Sequence, residues 1–202
     1  MVVDKPAGLP TEPPRGGGPS VASETGLRVC HRLDTDTTGV LVLARDEEGL
    51  RAVNAAFADR VAAKGYLAHV VGPLPETGRC TLPLGDWARG RVAIGRGRPA
   101  ESRWTVRARH DGHALVEVEP LTGRTHQVRA HLSASGAPIW GDEAYGGPNA
   151  ASLGLHAWWL VLPWPFRGAR LEVLAPPPEG FVAGWGAELG ALAPAASAWT
   201  QR

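Results

Sequence analysis

Apolar residues recur along the chain in distinct rhythms, and each rhythm predicts a different element. From Val40 to Ala44 they follow one another without a break, which reads as a short strand buried on both faces. Leu50, Val53, Phe57 and Val61 then recur at helical spacing. Asp46 is placed to cap that helix, with Glu47 and Glu48 in its first turn, Arg60 and Lys64 in its last, and Gly65 as the stop. Tyr66 opens a second strand that ends at Gly72 and Pro73. Further on, Trp104, Val106 and Ala108 alternate with Thr105, Arg107 and Arg109, Asp111-Gly112 supplies a tight turn, and His113 to Glu119 returns as a hairpin. Thr122-Gly123-Arg124 feeds a short helix closed by Gly136, and two more strands are predicted over residues 157–162 and 171–174. Strands interrupted by helices predict an α+β fold around a mixed, mainly antiparallel sheet with flanking helices. The expected organisation is one domain over residues 1–178 and a loosely docked or flexible tail over 179–202, rich in Ala, Gly and Pro.

Composition sharpens this picture. A chain of 202 residues with 44% hydrophobic and 20% charged residues can bury a core and is not a disordered tail. Gly 26 and Pro 18 imply many turns. Cys30 and Cys80 lie far apart, without zinc-site or disulfide-framework spacing, so a reducing cytoplasm is the expected compartment. MVVDKPAGLP carries charge and two prolines and does not read as a secretory signal. The 23 uncharged residues separating Glu143 and Arg167 contain Pro148, Asn149, His156, Pro163 and Pro165, too many polar and helix-breaking groups for a membrane span.

The net charge of +1 hides a local asymmetry. From Arg79 to Arg109 eight arginines face only Asp86 and Glu101. RGRVAIGRGRPAESRW interleaves Arg96, Arg98 and their neighbours with glycine and tryptophan, as loops that grip phosphate backbones do. A solvated loop beside an acidic neighbour has the same composition. Trp87 and Trp104 lie in this stretch, where each has a stacking and a core reading.

The chemistry concentrates in CHRLDTDTTG, where His31, Arg32 and Asp34 sit in the turn that enters the Val40 strand. A carboxylate held by a rigid element suits catalysis, although Asp34 to Gly39 is also ordinary turn chemistry. TGRTHQVRAHL places Arg129 on the short helix with His126 one turn earlier, opposite the apolar Val128 and Leu132. A guanidinium on a packed helix keeps a partly buried carboxylate ionised. Tyr66, at a strand opening, has the chemistry to line a cleft or to fill a core.

These pieces carry a resemblance. VVDKPAGLP, HRLDTDTTGVLVLAR, KGYLAHVVG, RPAESRWTV, LTGRTHQVRAHLSASGAPIWGDEAYGG and LHAWWLVLPWP stand in the order found in the RluA-type family of RNA pseudouridine synthases, over most of the chain to about Ala175. The resemblance implies a pseudouridine synthase fold with a central RNA-binding cleft, and isomerisation of uridine in ribosomal or transfer RNA. It places the essential aspartate at Asp34 and the basic residue paired with it at Arg129. Arg32 would help evict the target base, Tyr66 would stack on the extruded uracil, and Leu155 would pack the pocket. His31, Arg124, His126, Arg96 and Arg98 complete the expected RNA contacts. Thr38 stands where serine is commoner and Trp164 where histidine is usual, and the strand leading into VVDKPAGLP is expected to be missing or shortened.

Extruding a base from folded RNA costs a few kcal/mol, which a planar guanidinium and an aromatic ring can offset. The isomerisation needs no net oxidation and no external group, so no cofactor or metal is expected. The expected partner is structured RNA and the expected state a monomer. A metal hydrolase built on His31, Asp34, His126 and His131 fits poorly, because His126 and His131 are five apart and do not share one helix face. A non-catalytic RNA-binding or RNA-folding protein is the stronger rival, and the joint presence of Asp34, Tyr66 and Arg129 argues against it.

Overall fold

The computed structural model describes residues 1–163, 170–182 and 185. Its strands are β1 (Val2–Lys5), β2 (Arg28–Val29), β3 (Thr38–Ala44), β4 (Ala63–Val71), β5 (Thr77–Cys80), β6 (Leu84–Ala88), β7 (Arg91–Ile94), β8 (Ser102–His110), β9 (His113–Pro120), β10 (Leu155–Pro163) and β11 (Arg170–Leu174). The helices are α1 (Val21–Thr25), α2 (Glu47–Ala58), α3 (Gln127–Ala134) and α4 (Glu179–Val182), with a 3-10 turn at Glu143–Tyr145. β1–β3, β2–β3, β4–β9, β5–β8, β6–β7, β8–β9 and β10–β11 pair antiparallel and β10–β3 pairs parallel, so the fold is the mixed, mainly antiparallel α+β class that the patterning predicts. Trp164 and all of the predicted tail except α4 and Trp185 lie outside the described residues. The chain divides into two compact units, Met1–Lys64 with His156–Pro177, and Gly65–Leu155 with the described residues from Pro178 onwards.

In the first unit β3 is central, with β1 and β2 antiparallel and β10 parallel to it, and β11 antiparallel to β10. VVDK itself forms strand β1, registered Val2 to Val42 and Lys5 to Gly39. β10 passes close to β3 at Gly39, whose φ is +107° and where a Cβ would lie 2.2 Å from the Ala157 carbonyl oxygen. Only glycine fits that crossing. Val40 and Val42 pack with Ala56, Leu160, Leu162 and Ala175, while Leu41 and Leu43 are buried on the other face. The uninterrupted apolar run is therefore buried on both sides, as read.

Helix α2 starts as predicted, with the Asp46 side chain accepting from the Gly49 amide at 2.8 Å. Its end does not follow the prediction. The helix stops at Ala58, Arg60 takes a left-handed φ of +58°, and the Val61 and Ala62 amides both donate to the Ala56 carbonyl. That is a glycine-type stop built on arginine, so no residue type announced it. Val61 consequently lies beyond the helix at 58% exposure, and Lys64 belongs to β4.

The second unit holds an antiparallel sheet in the order β4-β9-β8-β5, with the consecutive strands β4 and β5 at opposite ends. The Asp111-Gly112 turn has both residues at positive φ, 46° and 80°, the geometry that matches strand twist. Arg107 is the extra residue of a bulge, since Val106 faces Val116 and Ala108 faces Leu115. Its guanidinium pairs with the buried Glu117 carboxylate. Tyr66 is the fourth residue of β4 rather than its first, because the strand begins at Ala63. The arginine-rich stretch read as loop forms a two-stranded hairpin of β6 and β7. In the predicted tail, Trp185 is buried and meets His69 edge-on at 5.6 Å.

Candidate active site

Asp34 sits on a turn that the N-terminal segment holds in place. Its carbonyl accepts from the Thr37 amide at 3.1 Å, which closes the turn. The buried Thr11 hydroxyl donates to the Leu33 carbonyl at 3.0 Å and accepts from the Leu33 amide at 3.1 Å. Lys5 is 1% exposed, and its Nζ donates to the carbonyls of Pro6 (2.8 Å), Leu9 (2.7 Å) and Thr35 (2.7 Å). All three ammonium protons are thus directed at backbone oxygens, two in the N-terminal segment and one in the aspartate-bearing turn. Burial lowers the Lys5 pKa to about 8, against the opposing pull of the Asp36 and Asp34 carboxylates. Neither Lys5 nor Thr11 stands out in the sequence, since a DKP segment carries no periodic signal. Lys5→Met is expected to lower stability by about 3 kcal/mol, because three carbonyls lose their donor at about 1 kcal/mol or more each. Urea unfolding checks this, and a loss under about 0.5 kcal/mol would show that the latch is not a stabilising element.

The neighbours of Asp34 point in opposite directions. Arg32 is exposed, with its side chain at 69% and the Glu12 carboxylate 3.9 Å away. His31 turns inward: its Nε2 accepts from the Val42 amide at 3.0 Å and its ring packs on Phe57 at 5.2 Å. With Nε2 accepting, the neutral ring carries its proton on Nδ1, a buried atom without a hydrogen-bond partner. Burial, helped by the Lys64 charge, lowers the His31 pKa to about 3. His31 therefore anchors the turn to β3.

The unfolded chain protonates His31 near pH 6.5 while the folded chain keeps it neutral to about pH 3. The stability present above pH 6.5 is then lost as pH falls, at about 1.4 kcal/mol per unit from this residue. His69, lowered to about 4 mainly by burial, and the buried His131 and His156 act in the same direction. Urea midpoints at pH 7 and pH 5 test it; an unchanged midpoint contradicts a neutral His31.

Thr38, the departure from serine, keeps its hydroxyl at work. Nε2 of the fully buried His156 lies 3.0 Å from the Ala175 carbonyl and so must donate, which leaves Nδ1 to accept from Thr38 Oγ1 at 2.8 Å.

In the second unit the turn before α3 is held by Gln127. Its Oε1 accepts from the Thr122 hydroxyl (2.7 Å) and the Arg124 amide (3.0 Å), and its Nε2 donates to the Glu101 carbonyl (2.7 Å) and Ser102 Oγ (3.0 Å). Arg124 also donates through Nε to the Pro99 carbonyl at 3.0 Å. His126 precedes the helix with a left-handed φ of 52°, a strained conformation for a residue with a side chain. Its Nδ1 lies 3.1 Å from the Tyr145 hydroxyl, which also accepts from the Val92 amide at 2.8 Å. His131 is buried with both ring nitrogens engaged, Nδ1 to Ser102 Oγ and Nε2 to the Leu82 carbonyl, each at 3.0 Å.

Arg129 makes a fork on Asp142, Nε to Oδ2 at 2.7 Å and Nη2 to Oδ1 at 2.8 Å. Its Cζ sits 5.2 Å from the Tyr145 ring centre, and the His126 ring meets the same tyrosine edge-on at 5.7 Å. Tyr145 thus brings together two of the predicted residues. Tyr66 and Leu155 are buried, on β4 opposite Val118 and at the start of β10. Arg96 and Arg98 are exposed beyond β7. Asp142 and Tyr145 escape sequence reasoning; the only signal is an acid and an aromatic within GDEAYGG, with nothing to say what they face.

Comparison with known proteins identifies the family. Residues 1–134 match the family described as RNA pseudouridylate synthase. The chain is 38% identical over 197 residues to an uncharacterized RNA pseudouridine synthase of Chloroflexus aurantiacus, covering 87% of this chain and 62% of that protein. It is 36% identical to the dual-specificity RNA pseudouridine synthase RluA of Salmonella typhi, covering 87% and 88% respectively. It is 33% identical to the ribosomal large subunit pseudouridine synthase D of Pseudomonas aeruginosa, covering 90% and 67%. Among solved structures, human RNA pseudouridylate synthase domain containing 4 superposes with a TM-score of 0.75 at 28% identity, over 94% of this chain and 89% of that one. The fold is that of a pseudouridine synthase type of domain. The chain belongs to the RNA pseudouridylate synthase family.

Proposed function

We propose that the protein is an RNA pseudouridine synthase that isomerises one or more uridines of structured ribosomal or transfer RNA, acting as a monomer in the cytoplasm. The observation that carries the reading is the Asp34 turn, latched by Lys5 and Thr11 within a chain of this family. The relatives' names support the substrate class, since they refer to the large ribosomal subunit and to dual specificity. Among the described residues no helix is long and apolar enough to cross a membrane.

In this reading the bond from uracil N1 to sugar C1′ breaks, the base turns, and C5 bonds to C1′. The C5 proton leaves and N1 gains one, so atoms and charge balance without a cofactor or metal. Asp34 assists by attacking C1′ or by taking the C2′ proton. Arg129 is its basic counterpart, Tyr66 stacks on the extruded ring, Leu155 packs the pocket, and the exposed Arg32 fills the vacated stack. Arg124 and His126 contact RNA from the turn fixed by Gln127, Arg96 and Arg98 contact it from the exposed surface, and His31 contributes by anchoring the Asp34 turn.

The test maps pseudouridine in total RNA from cells with and without the gene, complemented by native and Asp34→Ala forms. A site lost on deletion and restored only by the native gene establishes the activity and names its substrate. Full restoration by Asp34→Ala contradicts the catalytic assignment. If no site changes, the protein binds RNA without modifying it.

A further inference from the structure

The β6–β7 hairpin and the segment that follows it carry an exposed aromatic ring and four arginines without carboxylate partners among the described residues. Trp87 is 59% exposed, whereas its sequence neighbour in kind, Trp104, is buried with its indole N–H donated to the Pro75 carbonyl. Of the eight arginines from Arg79 to Arg109, Arg79, Arg103, Arg107 and Arg109 pair with Glu101, Glu117 or Glu76. Arg89, Arg91, Arg96 and Arg98 are all exposed, and among the described residues none has an ion pair. The single acid in the hairpin and its flanks, residues 82–99, is Asp86.

We propose that this hairpin is a platform for unpaired nucleotides of an RNA ligand, with Trp87 stacking on a base and the four arginines contacting the phosphates. The proposal deepens the synthase reading and rests on it only for the identity of the partner as RNA. A bare indole beside a cluster of uncompensated guanidinium groups matches a chain that alternates flat apolar faces with negative charge. A duplex hides its base faces and would use only the arginines.

The platform is held rigid from below, as a pre-organised contact needs to be. Leu84 and Val92 are buried with Ala100, Ala130 and Tyr145, and the Val92 amide donates to the Tyr145 hydroxyl. The Leu84 and Arg98 backbones exchange two hydrogen bonds at 2.9 Å. Between Arg96 and Arg98, Gly97 has φ +108° and presses on β6, where a Cβ would lie 2.4 Å from the Leu84 carbonyl oxygen. That crossing seats both arginines at the foot of the hairpin. At its other end the turn through Arg89 and Gly90, with φ 51° and 83°, sets Arg91 opposite Ala88, one step along the ladder from the Trp87–Val92 pair.

The test measures binding of the full chain to fluorescein-labelled oligouridylate and to an RNA duplex by anisotropy across a salt series. Trp87→Ala is expected to weaken binding to the single strand about tenfold or more, leave the duplex within about twofold, and keep the salt slope. Trp87→Phe retains most of the affinity, while Trp87→Leu, apolar but without a ring face, behaves like alanine and separates stacking from loss of packing. Replacing Arg89 and Arg91 together by alanine lowers the salt slope by about 1.4, from about 0.7 per phosphate contact on single strands. Single-strand binding by Trp87→Ala within about twofold of the native protein overturns the proposal, as does an equal loss on duplex. A changed sedimentation coefficient in Trp87→Ala with RNA affinity intact would make the patch a protein contact instead. Should the native chain form no pseudouridine while these binding shifts hold, the synthase reading fails and the platform stands.

Discussion

Asp34→Asn is expected to reduce pseudouridine formation by the purified protein at least about a thousandfold, while leaving its fold and RNA affinity in place. The substitution keeps the size of the side chain and removes the charge that either route requires, attack at C1′ or proton removal at C2′. The turn survives, because its hydrogen bonds run through the backbone: Thr37 to the Asp34 carbonyl, Thr11 to Leu33, and Lys5 to the Thr35 carbonyl. Melting temperature and RNA affinity should therefore match those of the native chain, so the loss reads as lost transition-state stabilisation rather than unfolding. Retention of activity within about tenfold would exclude the Asp34 carboxylate as the reacting group.

Asp142→Ala is expected to cost about 3–5 kcal/mol, since it strips the carboxylate fork from a largely buried guanidinium. Asp142 is 1% exposed and the Arg129 side chain 13%, so water replaces the lost partner poorly. For a chain of this size the expected fall in melting temperature is about 10 °C. Asp142→Asn, which keeps the shape and one acceptor, should lose less. Changing both residues to apolar ones of similar volume, Arg129→Met with Asp142→Leu, should recover part of the stability but none of the activity. A stable and fully active double variant would remove Arg129 from the proposed chemistry. A single Asp142→Ala variant as stable as the native chain would show that the fork contributes nothing to folding.

The short-range features of this chain were legible because the physics that makes them is also short-range. A short unbroken apolar run rich in branched residues suits a strand covered on both faces, and Val40 to Ala44 is one. Asp46 before an amphipathic stretch satisfies free amides at a helix start, and Asp111-Gly112 takes the positive φ values that a tight hairpin turn demands. The stop of α2 was hidden because Arg60 adopts the conformation usually left to glycine, at a position no residue preference marks. The arginine-rich stretch gave no strand rhythm, since only Leu84 and Val92 of its pairs are buried and the rest faces water.

What the sequence by itself determined is the fold class, the contiguous motifs, and the family they belong to, since each motif is a run of neighbours whose order survives as text. What only the tertiary structure decided is who faces whom. Arg129 finds Asp142 13 positions away, and Lys5 reaches the Thr35 carbonyl across 30. His31 turns into the core while Arg32, beside it, stays in water. Among the described residues, four arginines of one stretch have no ion pair while four others are paired. These outcomes depend on desolvation and hydrogen-bond partners supplied by distant segments, and such partners exist only once the chain has folded.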